Sequence, residues 1–163
     1  MKTIVHTLIT AVLSLLSLYG FSQTINKITI TIGGVTLNNS YTLSQFTSIM
    51  GAPNSTSSEM EDGGELIEMK YSNNIFYLHA NEFNCFLLIN NTYKLNGVVG
   101  VGDPIANINL LNPFRLTSEP KGANKMLYYA YITDNTCGDM SPIYFYTTNG
   151  IITRISYLMM DHT

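Results

Sequence analysis

The 163-residue sequence contains no tryptophan, two cysteines, three histidines and five prolines, and only 12% of its residues are charged. Each shortage excludes something. The charged share is about half that of an ordinary soluble domain, so a helical surface laced with ion pairs is excluded. Net charge is −3, and becomes −4 if Lys2 is lost with the leader described below, which leaves no basic footprint for nucleic acid. His6 sits in an N-terminal apolar run and His162 one residue from the C-terminus, so His79 is the one histidine in the body of the chain. One histidine and two cysteines do not make up the usual zinc ligand set. No Gly-x-Ser-x-Gly or His-Glu-x-x-His string is present. The glycines of Gly97-x-x-Gly100-x-Gly102 stand in the reverse of the dinucleotide-binding order and follow no long strand. No cofactor or metal is therefore expected, and the chain does not read as an enzyme.

What is present begins with a leader. Lys2 precedes a mostly apolar run, Ile4–Leu18, and then Tyr19-Gly20-Phe21-Ser22, with small residues at the −3 and −1 positions of a cut after Ser22. This reads as a signal peptide over residues 1–22, with periplasmic or secreted location after cleavage near Ser22. The competing reading is a buried N-terminal helix or an anchor. The run is short for a span, no basic stop-transfer cluster follows, and no membrane span is expected in the mature chain. Hydrophobic residues make up 45% of the sequence, enough for a core, and the polar surface falls to Asn, Thr and Ser.

Two segments share one device. Thr42-x-x-Gln45 is a capping box, and Leu43, Phe46, Ile49 and Met50 recur at helical spacing before Gly51-Ala52-Pro53. These residues predict a helix over 42–50. In the second copy Asp103 is a candidate N-cap with Pro104 at the first helical position, Ile105, Ile108 and Leu111 form the stripe, and Asn112-Pro113 ends it. The predicted helix spans 103–111. Around them, alternation predicts strands over 25–32, 66–71, 75–80, 83–89, 126–132, 142–148 and 151–158, with hairpin turns at Gly33-Gly34, Gly63-Gly64 and Asn149-Gly150. Pro53 and Pro113 differ by 60 positions, and Ile75–Leu78 and Ile143–Tyr146 by 68, so an insertion falls at 133–141. The expected fold class is α+β: two tandem repeats, 23–96 and 97–163, each a short helix packed on an antiparallel sheet.

Ser48-Ile49-Met50-Gly51-Ala52-Pro53 and Val99-Gly100-Val101-Gly102-Asp103-Pro104 carry a family likeness. The order of elements over Tyr41–Tyr157 resembles the β-lactamase-inhibitor-protein-like fold and its single-unit relative, the SmpA/OmlA (BamE-like) fold of exported bacterial proteins. The resemblance implies helices against an antiparallel sheet, an exported location and work by protein–protein contact. The chain departs from it in lacking a lipobox cysteine and in ending the second helix with Leu-Asn-Pro.

Cys85 and Cys137 are the only thiols, and in an exported chain an even pair suggests a disulfide. Such a link would close a loop of about 50 residues, worth about 4 kcal/mol less any strain; the alternative is two separate thiols. Glu59, Glu61, Asp62, Glu65 and Glu68 cluster within ten positions. They could serve a hydrolase or bind calcium, but a hairpin sends alternate residues to opposite sides, so a solvated tip is the plainer reading. The 11 tyrosines say more. Tyr carries an apolar ring and a polar tip and is enriched at interfaces. With Lys70, His79 and Arg154 as outward markers, alternation places Lys70, Tyr77 and His79 on one face of the first unit. The repeat offsets carry that face to Tyr128, Phe145, Thr147 and Arg154 in the second. The functional expectation is an exported, non-catalytic module that binds a protein partner in the envelope or outside the cell through this face. The alternatives are a structural component of an envelope assembly, or a hydrolase using the Glu59–Glu68 carboxylates.

Overall fold

A computed structural model describes residues 28–113, 115–132 and 142–157. The leader, the 133–141 insertion, Cys137 and the end of the last expected strand lie outside the described residues.

Thirteen strands and two short helical segments make up these residues. A small sheet has the order β2(Val35–Thr36), β1(Thr31–Ile32), β8(Lys94–Leu95), β9(Val99–Gly100). The large sheet is built from two meanders. The first is β4(Ser55–Glu61), β5(Gly64–Tyr71), β6(Asn74–His79) and β7(Glu82–Leu88); the second is β10(Arg115–Gly122), β11(Lys125–Tyr131), β12(Ile143–Thr148) and β13(Ile151–Tyr157). They join where β7 pairs antiparallel with β13, through Leu88–Ile155, Leu87–Ser156 and Phe86–Tyr157, so that β4 and β10 become the two outer edges. β3(Asn39–Ser40) adds to the other end of β7.

Helix α1(Leu43–Met50) forms with its capping box complete: Thr42 Oγ1 accepts from the Gln45 N–H and Gln45 Oε1 accepts from the Thr42 N–H at 2.8 Å. Phe46 is its one fully buried side chain, ringed by Tyr41, Phe76 and Phe83. Ile49, expected on the buried stripe, is 47% exposed. Earlier in the chain Gly33 takes φ +58°, the left-handed conformation that makes glycine the fitting residue in the β1–β2 turn.

The expected α+β class does not hold. Strand accounts for 56% and helix for 12% of the described residues, a predominantly antiparallel β fold. The likeness to the β-lactamase-inhibitor-protein-like and BamE-like folds fails with it, because among the described residues no helical layer covers the sheet. The physical reason lies partly in the second segment. Ile105–Leu111 is a 3-10 helix without a side-chain cap. Asp103, expected to cap it, instead takes Lys94 Nζ at 3.0 Å and the Gly100 N–H at 2.8 Å. The Ile105 N–H donates to the Gly150 carbonyl, which ties the start of this segment to the β12–β13 turn. Two such short pieces cannot cover a wide sheet. The cover comes mainly from the small sheet, whose Ile32, Val35, Leu95 and Val99 join Phe46, Ile108 and Leu111 over Met69, Phe76, Phe86, Phe145 and Ile155.

Phe46→Ala removes the side chain on which α1 is seated. It should cost about 3–5 kcal/mol, read by denaturant unfolding.

Candidate binding face

The small sheet and helical segments cover one face of the large sheet. Among the described residues nothing packs on the other, whose composition follows from register. Residues directly opposite on neighbouring strands share a face, which gives Glu68–Tyr77–Cys85 on the first meander and Thr117–Tyr129–Tyr144–Ser156 on the second. Beside the latter row runs Glu119–Leu127–Tyr146–Arg154, and at its end Arg115–Tyr131. The ten described tyrosines therefore divide evenly. Tyr41, Tyr71, Tyr93, Tyr128 and Tyr157 belong to the core or pack against it. Tyr77, Tyr129, Tyr131, Tyr144 and Tyr146 stand half-buried on the open face.

Close contacts fix the open-face tyrosines. The Arg154 guanidinium lies 3.6 Å from the centre of the Tyr146 ring and that of Arg115 lies 4.1 Å from the Tyr131 ring. Tyr129 and Tyr144 meet edge to face at 5.4 Å. A β-bulge between Tyr146 and Thr147 sets Arg154 opposite Tyr146; the displaced residue, Thr153, donates its hydroxyl to the Tyr146 carbonyl at 3.1 Å. The Tyr129 hydroxyl bonds the Glu119 carboxylate, and Lys121 pairs with the same group. That bond to Glu119, more than burial, holds the Tyr129 phenol at about 12. Glu119 in turn is held below the usual carboxylate range, first by Lys121 and then by Tyr129. On the first meander Tyr77 donates to Glu68 Oε2 at 3.0 Å, and burial followed by this bond raises it to about 12.

Of the seven residues expected on this face, four are on it. Lys70 pairs with Glu68 at 3.1 Å, Tyr77 is bonded as above, His79 is half-buried with an unpartnered Nε2, and Arg154 stacks on Tyr146. Phe145, Tyr128 and Thr147 are corrections; Thr147 is buried and donates its hydroxyl to the Met126 carbonyl at 3.2 Å. Phe145 is fully buried in the core, and Tyr128, its cross-strand partner, packs against the core. The cause is one residue of register. The turns and bulges of the two meanders place Thr148 and Ile151 at 69 positions after His79 and Glu82, not 68. A slip of one flips every side chain across the sheet. Aligning Phe76-Tyr77 with Phe145-Tyr146 would have exposed the slip, and with it Tyr129, Tyr144 and Tyr146.

Charge separates along the sheet. Among the described residues, the first meander and its turns hold Glu59, Glu61, Asp62, Glu65, Glu68 and Glu82 against Lys70 alone. The second holds Arg115, Lys121, Lys125 and Arg154 against Glu119 alone. A depression of about 350 Å³ on the second is lined by Lys121, Lys125, Tyr146, Thr148, Thr153 and Arg154. A smaller one of about 130 Å³ on the first is lined by Ser57, Glu59, Leu66, Glu68 and Tyr77. The carboxylate cluster does not converge: Glu59 and Glu68 share the open face, Glu65 points to the other side, and Glu61 and Asp62 are exposed at the hairpin tip. Among the described residues no group of three His, Cys, Asp or Glu could hold a metal ion. Cys85 is half-buried opposite Tyr77. No helix among the described residues is long and apolar enough to cross a membrane.

No family model matches the chain, and no match was found among curated proteins or solved structures.

The raised phenols have a pH consequence. A group whose pKa rises on folding adds stability that is complete below its unfolded value near 10 and is lost as pH climbs through the folded value near 12. Unfolding free energy should therefore decline between pH 10 and 12. Replacing Tyr77 and Tyr129 by Phe should flatten that decline, as measured by urea unfolding at stepped pH.

Proposed function

We propose that this chain is an exported, non-catalytic module that binds a protein partner through the open face of its second meander. The observation that carries the reading is the set Tyr129, Tyr131, Tyr144 and Tyr146, with Arg154 and Arg115 stacked on Tyr146 and Tyr131, on a sheet face that nothing covers among the described residues. Tyr and Arg are the residue types that dominate binding hot spots. Here they are already held by stacking and hydrogen bonds, so little side-chain freedom is lost when a partner docks. The excess of cations among the described residues of this half favours a partner whose contacting surface carries carboxylates. The face differs from the one alternation alone selects, since Phe145 and Tyr128 are replaced by their outward neighbours. Export rests on the leader sequence.

A structural role in an envelope assembly would use the same face and is a variant of this reading. A hydrolase built on the Glu59–Glu68 carboxylates is less well supported, because Glu68 is committed to Tyr77 and Lys70 and its neighbours splay apart.

The purified chain, immobilised and exposed to envelope and culture-fluid fractions, should retain a discrete partner. The pair Tyr146→Ala and Arg154→Ala should weaken that capture at least thirty-fold, roughly the 2 kcal/mol of a hot spot. Leu110→Ser, on the far side of the molecule, should leave it unchanged. Capture indifferent to the tyrosine-face variants, with their melting preserved, would overturn the reading.

A further inference from the structure

We propose that the two outer edges of the large sheet pair with each other between copies of this chain, head to tail, so that successive molecules continue one sheet. Both edge strands are solvent-facing along nearly their whole length, β4 at every residue and β10 at all but Glu119. An unpaired edge is a row of backbone donors and acceptors open to another strand.

Direction, charge and apolar contact all select β10 as the match for β4. Every neighbouring pair from β10 through to β4 is antiparallel. Seven such steps separate the edges, so β4 and β10 run in opposite directions. A second copy displaced sideways in the plane of the sheet, same face up, then presents its β4 antiparallel to β10. The edges also carry opposite charge, Glu59 and Glu61 on β4 against Arg115 and Lys121 on β10. Each exposes one large apolar side chain, Met60 at 78% and Leu116 at 38%.

One register satisfies these together. With Glu61 opposite Arg115, Met60 falls opposite Leu116 on the same face, and Glu59, Ser58 and Ser57 meet Thr117, Ser118 and Glu119. Sliding by two residues one way sets Glu59 against Glu119; sliding the other way leaves Leu116 facing Ser58. A shift by one residue sends Met60 and Leu116 to opposite faces. Pro120 has no N–H, so the ladder is confined to Arg115–Glu119. The contact is heterologous, leaving a free β4 at one end and a free β10 at the other, and so adds copies without closing unless the sheet twist brings the ends into a ring. It buries none of Tyr129, Tyr144 or Tyr146 and shares Arg115 with the tyrosine face, so Glu61→Arg, which leaves that face untouched, separates the pairing from the proposed function.

Light scattering on the purified chain at low ionic strength should give a molar mass that rises with concentration above that of one chain and falls back as salt screens the Glu61–Arg115 pair. Glu61→Arg and Arg115→Glu should each return the mass to one chain, with unchanged far-ultraviolet dichroism as the check on folding. An equimolar mixture of the two variants, in which every contact is again between opposite charges, should recover the rise. A wild-type mass fixed at one chain across the concentration range would overturn the proposal and mark the edge charges as guards against association. So would a rise that survives either reversal, or two folded variants whose mixture stays monomeric.

Discussion

Three residue pairs, Phe86–Tyr157, Leu87–Ser156 and Leu88–Ile155, decide what kind of molecule this is. Each meander alone would have an open inner edge and a narrow apolar face. Antiparallel pairing of β7 with β13 closes both inner edges at once and makes one wide surface. That surface is wide enough to need a layer over it, and the apolar residues of the small sheet join one core with those of both meanders. Phe86 stacks on Tyr157 at 6.2 Å across the seam, so the join is made by packing as well as by backbone bonds.

The same pairing gives the open face its polarity. Joining the halves at β7 and β13 puts the acidic hairpin of β4–β5 at one end and the basic strands β10–β11 at the other. A chain whose net charge is −3 thereby acquires a sheet that is acidic on one side and basic on the other. Electrostatic steering depends on this distribution more than on the total. The tyrosines lie on the basic side, where a carboxylate-bearing partner meets an aromatic surface with cations fixed by stacking.

Much of the architecture can be read from local signals. The Thr42–Gln45 box, the Gly33-Gly34 and Asn149-Gly150 turns and the period-2 runs of β5, β6, β7, β11, β12 and β13 are local, and each reflects chemistry carried by the residues that form it. The α+β class cannot be read this way. Asp103-Pro104 has the composition of a helix start, yet Lys94, nine positions earlier, and Gly100 occupy the carboxylate that would have capped it. Ser55–Ser58 lacks any apolar alternation and still forms an edge strand, because β5 supplies the partner. The open face was half legible. Lys70, Tyr77, His79 and Arg154 are placed by polarity, while Tyr129 and Tyr144 depend on counting a bulge that leaves no mark in the sequence except the Phe-Tyr pair common to both halves.

The seam also bears on how the chain reaches its folded state. All pairings within a meander link residues close in sequence, whereas β7 must wait for β13, some seventy residues later. Contact order is therefore low within each half and high at their junction, and docking of the halves should set the folding rate. While the chain is being made, the first meander can complete itself and hold the inner edge of β7, with Phe86 and Leu88, exposed until the last strand arrives. That interval is the point at which misassembly between nascent chains would compete with the native join.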